Sequence, residues 1–167
     1  NTYTAAELGA APGASQSSYV SAALAEIAIA RRVLGPRPVS SVFVGGGTPT
    51  LLDSPTLVAL LHGIDDAFGL APGAEVTTEA NPESVTPESL AALKEGGFTR
   101  ISYGMQSAVP HVLATLDRVH TPGRAAEAVR EARAVGFEDV SLDLIYGTPG
   151  ESAEDWRTTL DAALAAE

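Results

Sequence analysis

With 167 residues, 45% of them hydrophobic and 19% charged, the chain has the size and composition of one globular domain. Its formal charge of −11 argues against a nucleic-acid partner, which needs clustered Lys and Arg, and its lack of cysteine excludes disulfides, thiolate nucleophiles and thiolate-held metals within these residues. No apolar run approaches the roughly 18 residues of a membrane span, so membrane contact is expected to be peripheral at most.

Residues 1 to 16 are small and polar, with Pro12, Gly13 and Ser15 as turn formers, and read as loop. Ser17 and Ser18 are candidate caps for a helix from about Tyr19 to Leu34, whose Val20, Leu24, Ile27 and Val33 recur near helical spacing. Gly35 and Pro36 end it. A β-branched and aromatic run, Val39 to Val44, predicts the first strand, which opens into Gly45, Gly46 and Gly47. Bare backbone of this kind suits a loop that something approaches closely.

Asp53 or Ser54 is expected to cap a second helix from Pro55 to Phe68, striped with Leu57, Leu60, Leu61 and Ile64. Gly69 to Gly73 reads as a turn and Glu75 to Glu79 as the second strand. Thr86 to Ser89 opens a third helix that runs to Lys94 and stops at Gly96 and Gly97. The third strand is Arg100 to Met105; helical stretches follow from Pro110 to about Leu116 and from Pro122 to Val135. The fourth strand is Val140 to Ile145, and a last helix begins near Ser152. The chain starts at Asn1 and stops within the amphipathic pattern Trp156 to Leu164 without a helix-ending signal, so it is expected to be a piece of something longer.

Strands alternating with helices at spacings of roughly 25 to 40 residues predict βαβ units and a parallel sheet. Period-two counting puts Glu75, Thr77 and Glu79, then Ser102, Gly104 and Gln106, then Ser141 and Asp143 on one face of that sheet. Val76, then Ile101, Tyr103 and Met105, then Val140, Leu142 and Leu144 take the other, which suits covering helices. A polar inner face needs partners for its carboxylates and amides, and α/β sheets gather binding groups at the carboxyl ends of their strands. Glu79, Gln106 and Asp143 lie there beside the glycine loop, which describes a ligand with cationic and hydroxyl groups. Taken singly, Glu79 and Asp143 also suit solvated strand-end acids, Arg118 a helix-end cation and His120 a turn residue; their order on successive units is what points to one site. Gly-Thr-Pro occurs twice, at 47–49 and 147–149, each time just after a strand, which predicts similar geometry at two strand ends. The histidines, His62, His111 and His120, show no metal-binding spacing.

The segments Val44–Leu52, Glu79–Pro82, Tyr103–Ser107, Leu116–His120 and Leu142–Gly150, in that order, resemble the radical S-adenosylmethionine (SAM) enzymes related to oxygen-independent coproporphyrinogen III oxidase. Glu79-Ala80-Asn81-Pro82, where the oxidase proper tends to have Glu-Val-Asp-Pro, and the opening Asn1-Thr2-Tyr3 look more like the family's heme chaperone branch. The resemblance implies an α/β fold, a partial (β/α) TIM-like barrel incomplete at both ends, with residues 1 to 167 forming a single core domain. It implies SAM and a [4Fe-4S] cluster as cofactors. By the family pattern Gly46, Gly47 and Thr48 approach the methionyl and ribose portions of SAM, with Glu79, Gln106, Arg118 and Asp143 as further contacts.

In the oxidase, electron transfer from the cluster cleaves SAM to a radical that abstracts hydrogen from a porphyrinogen propionate side chain. In the chaperone branch, heme is bound and delivered. The implied partners are therefore heme or porphyrinogen, with a heme-receiving protein or an electron donor, in the cytoplasm. The departure is the family's CxxxCxxC motif, which is absent here and expected just upstream of Asn1, so no metal ligand is assigned; the family's heme-handling segment is expected downstream of these residues, so no heme ligand is assigned either. A heme chaperone, a coproporphyrinogen oxidase and a heme-delivery module without turnover all stay open. An unrelated barrel enzyme holding phosphate in the glycine loop is a further reading, opposed by the absence of Lys or Arg within that loop.

Overall fold

The strands Val39–Val44 (β1), Leu70–Ala80 (β2), Arg100–Gln106 (β3) and Asp139–Leu144 (β4) form one four-stranded sheet in the order β1-β2-β3-β4, with every neighbouring pair parallel. The computed structural model describes residues 16–118 and 121–166. Of the loop expected over residues 1–16, all but Gln16, which is helical, lies outside them, as does the turn expected at His120. Between and beside the strands run the helices Gln16–Leu34 (α1), Ser54–Phe68 (α2), Pro87–Glu95 (α3), Pro110–Thr115 (α4), Arg124–Ala134 (α5) and Ala153–Leu164 (α6).

Three of the helix starts have a side-chain cap. Asp53 caps α2 by accepting from the Thr56 N–H, with Pro55 in the first turn. Thr86 and Ser89 close a reciprocal capping box on α3, as Ser152 and Asp155 do on α6. The sequence places the start of α1 too late: the helix already includes Ser17 and Ser18, which are therefore not its caps. Serines are tolerated there because first-turn N–H groups have no partner inside the helix.

Strand β2 is longer than expected. Leu70 pairs with Val39, the register then slips, and Glu75 pairs with Ser41, so the segment read as a turn is a bulge within the strand. Pro72 and Gly73, the latter at φ 75°, sit in that bulge, where a residue without an N–H and one with a left-handed backbone are accommodated. At the other end of the chain α6 closes at Leu164, and Ala166 packs into the core.

The core lies on one face of the sheet. Val42, Val76, Ile101 and Tyr103 meet Leu57 and Leu61 of α2, Leu90 and Leu93 of α3, and Ala128, Val129 and Ala132 of α5. Successive strands always step in the same direction, and the face opposite the core carries Thr77, Arg100, Ser102 and Ser141 linked by hydrogen bonds. A singly wound parallel sheet with helices on one side and a polar concave side is an arc of a (β/α) barrel.

Candidate functional site

The carboxyl end of β1 opens into Gly46 at φ 89° and Gly47 at φ 63°, left-handed conformations that glycine adopts without steric cost. That geometry turns the Gly46 N–H toward β2, where it donates to Glu79 Oε2 at 2.8 Å. The carboxylate at the end of one strand thus ties down the loop that follows its neighbour. Thr48 and Pro49 then start a short 3₁₀ turn, Pro49–Leu51.

Gln106 reaches the same place by a different route. It is a non-glycine residue at φ 65°, a conformation costing on the order of 1–3 kcal/mol and found preferentially at functional sites. The β3–β4 register slips between Gly104 and Gln106, and the Gln106 side chain folds back so that its Nε2 lies 2.6 Å from where a Cβ on Gly104 would stand. Asp143 sits on β4 directly opposite Gly104, with Oδ2 accepting from Ser102 Oγ at 3.0 Å. Arg118 follows α4, its own N–H anchored to the Leu113 carbonyl at 2.9 Å.

Gly47, Thr48, Glu79, Gln106, Arg118 and Asp143 line one polar cleft of about 140 Å³, together with Ala80, Asn81 and Gly104. Of the seven residues that the resemblance assigns to SAM, Gly46 alone is not among the lining groups, and it reaches the cleft through its bond to Glu79. Arg118 also borders a more apolar cavity of about 310 Å³ that runs past Met105, Leu113 and Arg124. Sequence reasoning passed over Asn81, which both lines the cleft and accepts from the Glu83 N–H at 3.0 Å, and Arg100, whose parity with Ser102 was the available signal.

The second Gly-Thr-Pro segment uses a related device. Gly147, at φ 76°, and Thr148 donate their N–H groups to Glu151 Oε2 at 2.6 and 3.1 Å. In both loops a carboxylate holds loop amides; here it comes from the loop itself, not from the neighbouring strand.

Clearly shifted titrations lie on other parts of the molecule. Burial pushes the Tyr103 phenol up, with the Glu131 charge adding and Arg124 opposing. Burial lowers the Arg124 guanidinium, but bonding and charge from Glu131, with Glu127 and Glu83, outweigh it and raise the group.

The profile of the Radical SAM superfamily matches residues 15–163. The chain belongs to that superfamily. It is 55% identical over 166 residues to the heme chaperone HemW of Mycobacterium tuberculosis H37Rv, covering 99% of this chain and 42% of that protein. Against HemW of Escherichia coli K12 the identity is 40% over 119 residues, 71% of this chain and 32% of the relative. The structure of E. coli coproporphyrinogen III oxidase (HemN), a radical SAM enzyme, superposes with a TM-score of 0.83 at 28% identity, over 90% of this chain and 35% of that one. The chain therefore spans less than half the length of these relatives. They put it on the HemW, coproporphyrinogen oxidase-like branch that its motifs resemble, and they bear out the expected partial barrel.

For a radical SAM chain the two implied cofactors fare differently. The residues present do not fit a [4Fe-4S] cluster: the chain has no cysteine, and among the described residues no group of three or more His, Asp or Glu could hold a metal. The donor set of the cleft does suit SAM. Its volume of about 140 Å³ is below the roughly 300–1,000 Å³ of pockets that enclose a whole small molecule, so the cleft by itself is too small to enclose one.

Proposed function

We propose that the strand-end cleft binds SAM and that the complete protein is a heme chaperone, binding and delivering heme with the aid of SAM and a [4Fe-4S] cluster. The observation that carries the reading is the convergence of Gly47, Thr48, Glu79, Gln106, Arg118 and Asp143 on one cleft at the carboxyl ends of consecutive parallel strands. The chemistry is complementary. Glu79 and Asp143 supply acceptors for the ammonium and ribose hydroxyls of SAM and negative charge to face its sulfonium, and Gln106 offers both a donor and an acceptor. Arg118 supplies a donor fork for the methionyl carboxylate. The bare backbone at Gly46 and Gly47 lets a ligand come close.

When bound, SAM would supply the radical chemistry of the superfamily, released only when the cluster gives it an electron; this chain's residues would bind and orient it. No residue here is assigned to the cluster or to heme. The 55% identity to a heme chaperone supports delivery over turnover. The alternative, an oxygen-independent coproporphyrinogen III dehydrogenase that oxidatively decarboxylates porphyrinogen propionates, is favoured by the superposition on HemN. Heme or porphyrinogen is the proposed small-molecule partner, with a heme-receiving protein or an electron donor beside it. Among the described residues no helix is long and apolar enough to cross a membrane, and a cytoplasmic location is part of the proposal.

SAM titration calorimetry on the complete, cluster-reconstituted protein tests the cleft. Glu79→Ala and Asp143→Ala are each expected to weaken binding by about 1–3 kcal/mol, the cost of an unpaired polar group. Unchanged affinity in both variants rejects the site. Heme titration run beside a coproporphyrinogen decarboxylation assay then separates the two activities: heme binding without decarboxylation supports the chaperone, and decarboxylation without heme binding excludes it.

A further inference from the structure

We propose that Arg100, Ser141 and Ser102 are positioning residues, a hydrogen-bond relay on the concave face of the sheet that fixes the Asp143 carboxylate for its ligand. The inference rests on the reading of Asp143 as a SAM contact. Arg100 Nη2 donates to Ser141 Oγ at 2.9 Å, Ser141 and Ser102 share a bond of 2.8 Å between their hydroxyl oxygens, and Ser102 Oγ donates to Asp143 Oδ2 at 3.0 Å.

The direction of the middle bond follows from its ends. Arginine has no acceptor, an ionised carboxylate has no donor, and each serine hydroxyl has a single proton. Ser102 commits its proton to Asp143, so Ser141 must donate to Ser102 and accept from Arg100. Only one ordering of protons satisfies the chain. With a cation at one end and an anion at the other, every bond polarises the next in the same sense.

The register explains why Asp143 needs such a device. The residue directly opposite it on β3 is Gly104, which has no side chain to hold the carboxylate. Ser102, opposite Ser141 and one rung down the same face, supplies the bond. Arg100 is in turn held from β2, by Glu75 in an ion pair at 3.8 Å and by contact with Thr77 Oγ1 at 3.5 Å. The relay occupies one oxygen of Asp143, leaving Oδ1 to the cleft. A barrel interior is ordinarily filled by branched apolar side chains. A Ser102 that is only 4% exposed therefore departs from the simple packing solution, and the relay accounts for its hydroxyl.

A double-mutant cycle on SAM affinity, measured by calorimetry in the complete, cluster-reconstituted protein, tests the relay. Ser102→Ala is expected to weaken SAM binding roughly fivefold or more, the effect of one hydrogen bond. In an Asp143→Ala background the same substitution is expected to change nothing further. Ser141→Ala, at a less buried rung, is expected to follow the same pattern with a smaller loss, and it carries the test should Ser102→Ala not fold. An equal loss with and without Asp143 marks a general packing effect and overturns the relay. If Asp143→Ala loses affinity while both serine variants keep it, the relay falls and the cleft stands. If Asp143→Ala binds SAM normally, the underlying reading of the site falls with it.

Discussion

A missing side chain decides where the Gln106 amide lies. A Cβ on Gly104 would stand 2.6 Å from Gln106 Nε2, so alanine there must displace the amide from the cleft. Because the obstacle is the end of a flexible side chain, the fold should absorb it. Gly104→Ala is expected to weaken SAM binding by about 1 kcal/mol, one hydrogen bond's worth, with little change in melting temperature. Calorimetry beside thermal melting checks this; unchanged affinity would show that Gln106 does not serve the ligand. At this scale the sequence was readable where strand alternation sufficed. Glu79, Ser102 and Asp143 fall on one face by counting in twos, and the structure has them there. Gln106 was assigned to that face by the same count, yet it gets there through a positive φ and a slipped register that no count contains. Arg100 was not singled out because a lone cation at a strand start acquires meaning only once Ser141 is known to lie within reach.

Among the elements, α6 has an N-terminus that should respond to acid. Hydrogen bonds from Ser152, first its side chain and then its backbone, hold the Asp155 carboxyl below its ordinary 3.8, and the nearby His111 lowers it further. A group that binds its proton less readily when folded adds stability that is complete above its unfolded value and is lost as pH falls through the folded one. Urea unfolding of the wild type and Asp155→Asn should therefore show a gap near neutral pH that closes below 3.8, where the wild-type carboxyl also becomes neutral. A gap independent of pH would assign the difference to something other than charge. The sequence puts helix starts at Thr86 and near Ser152, where the capping boxes lie, and the position of β1 needed only its β-branched run. The extension of β2 back to Leu70 was not legible, because Pro72 and Gly73 are turn formers by composition and only pairing with β1 keeps them in a strand.

For the molecule as a whole, the arrangement follows from winding in one direction. Helices on the apolar side bury Val76, Ile101 and Tyr103, and the concave side is left to groups that hydrogen-bond one another or a ligand. The alternation of strands and helices made the parallel sheet predictable, and the ordered motifs made the barrel type predictable; neither fixes how far apart the strand ends stand. The bulge in β2 and the slip at Gln106 are likewise products of pairing, written in no sequence pattern. The most direct measurement is a crystal structure of the complete protein with SAM bound. The account predicts the ligand against the backbone of Gly46–Thr48, with polar atoms within hydrogen-bonding distance of Glu79, Gln106 and Asp143. A ligand seated elsewhere, with those three side chains facing only water, would contradict it.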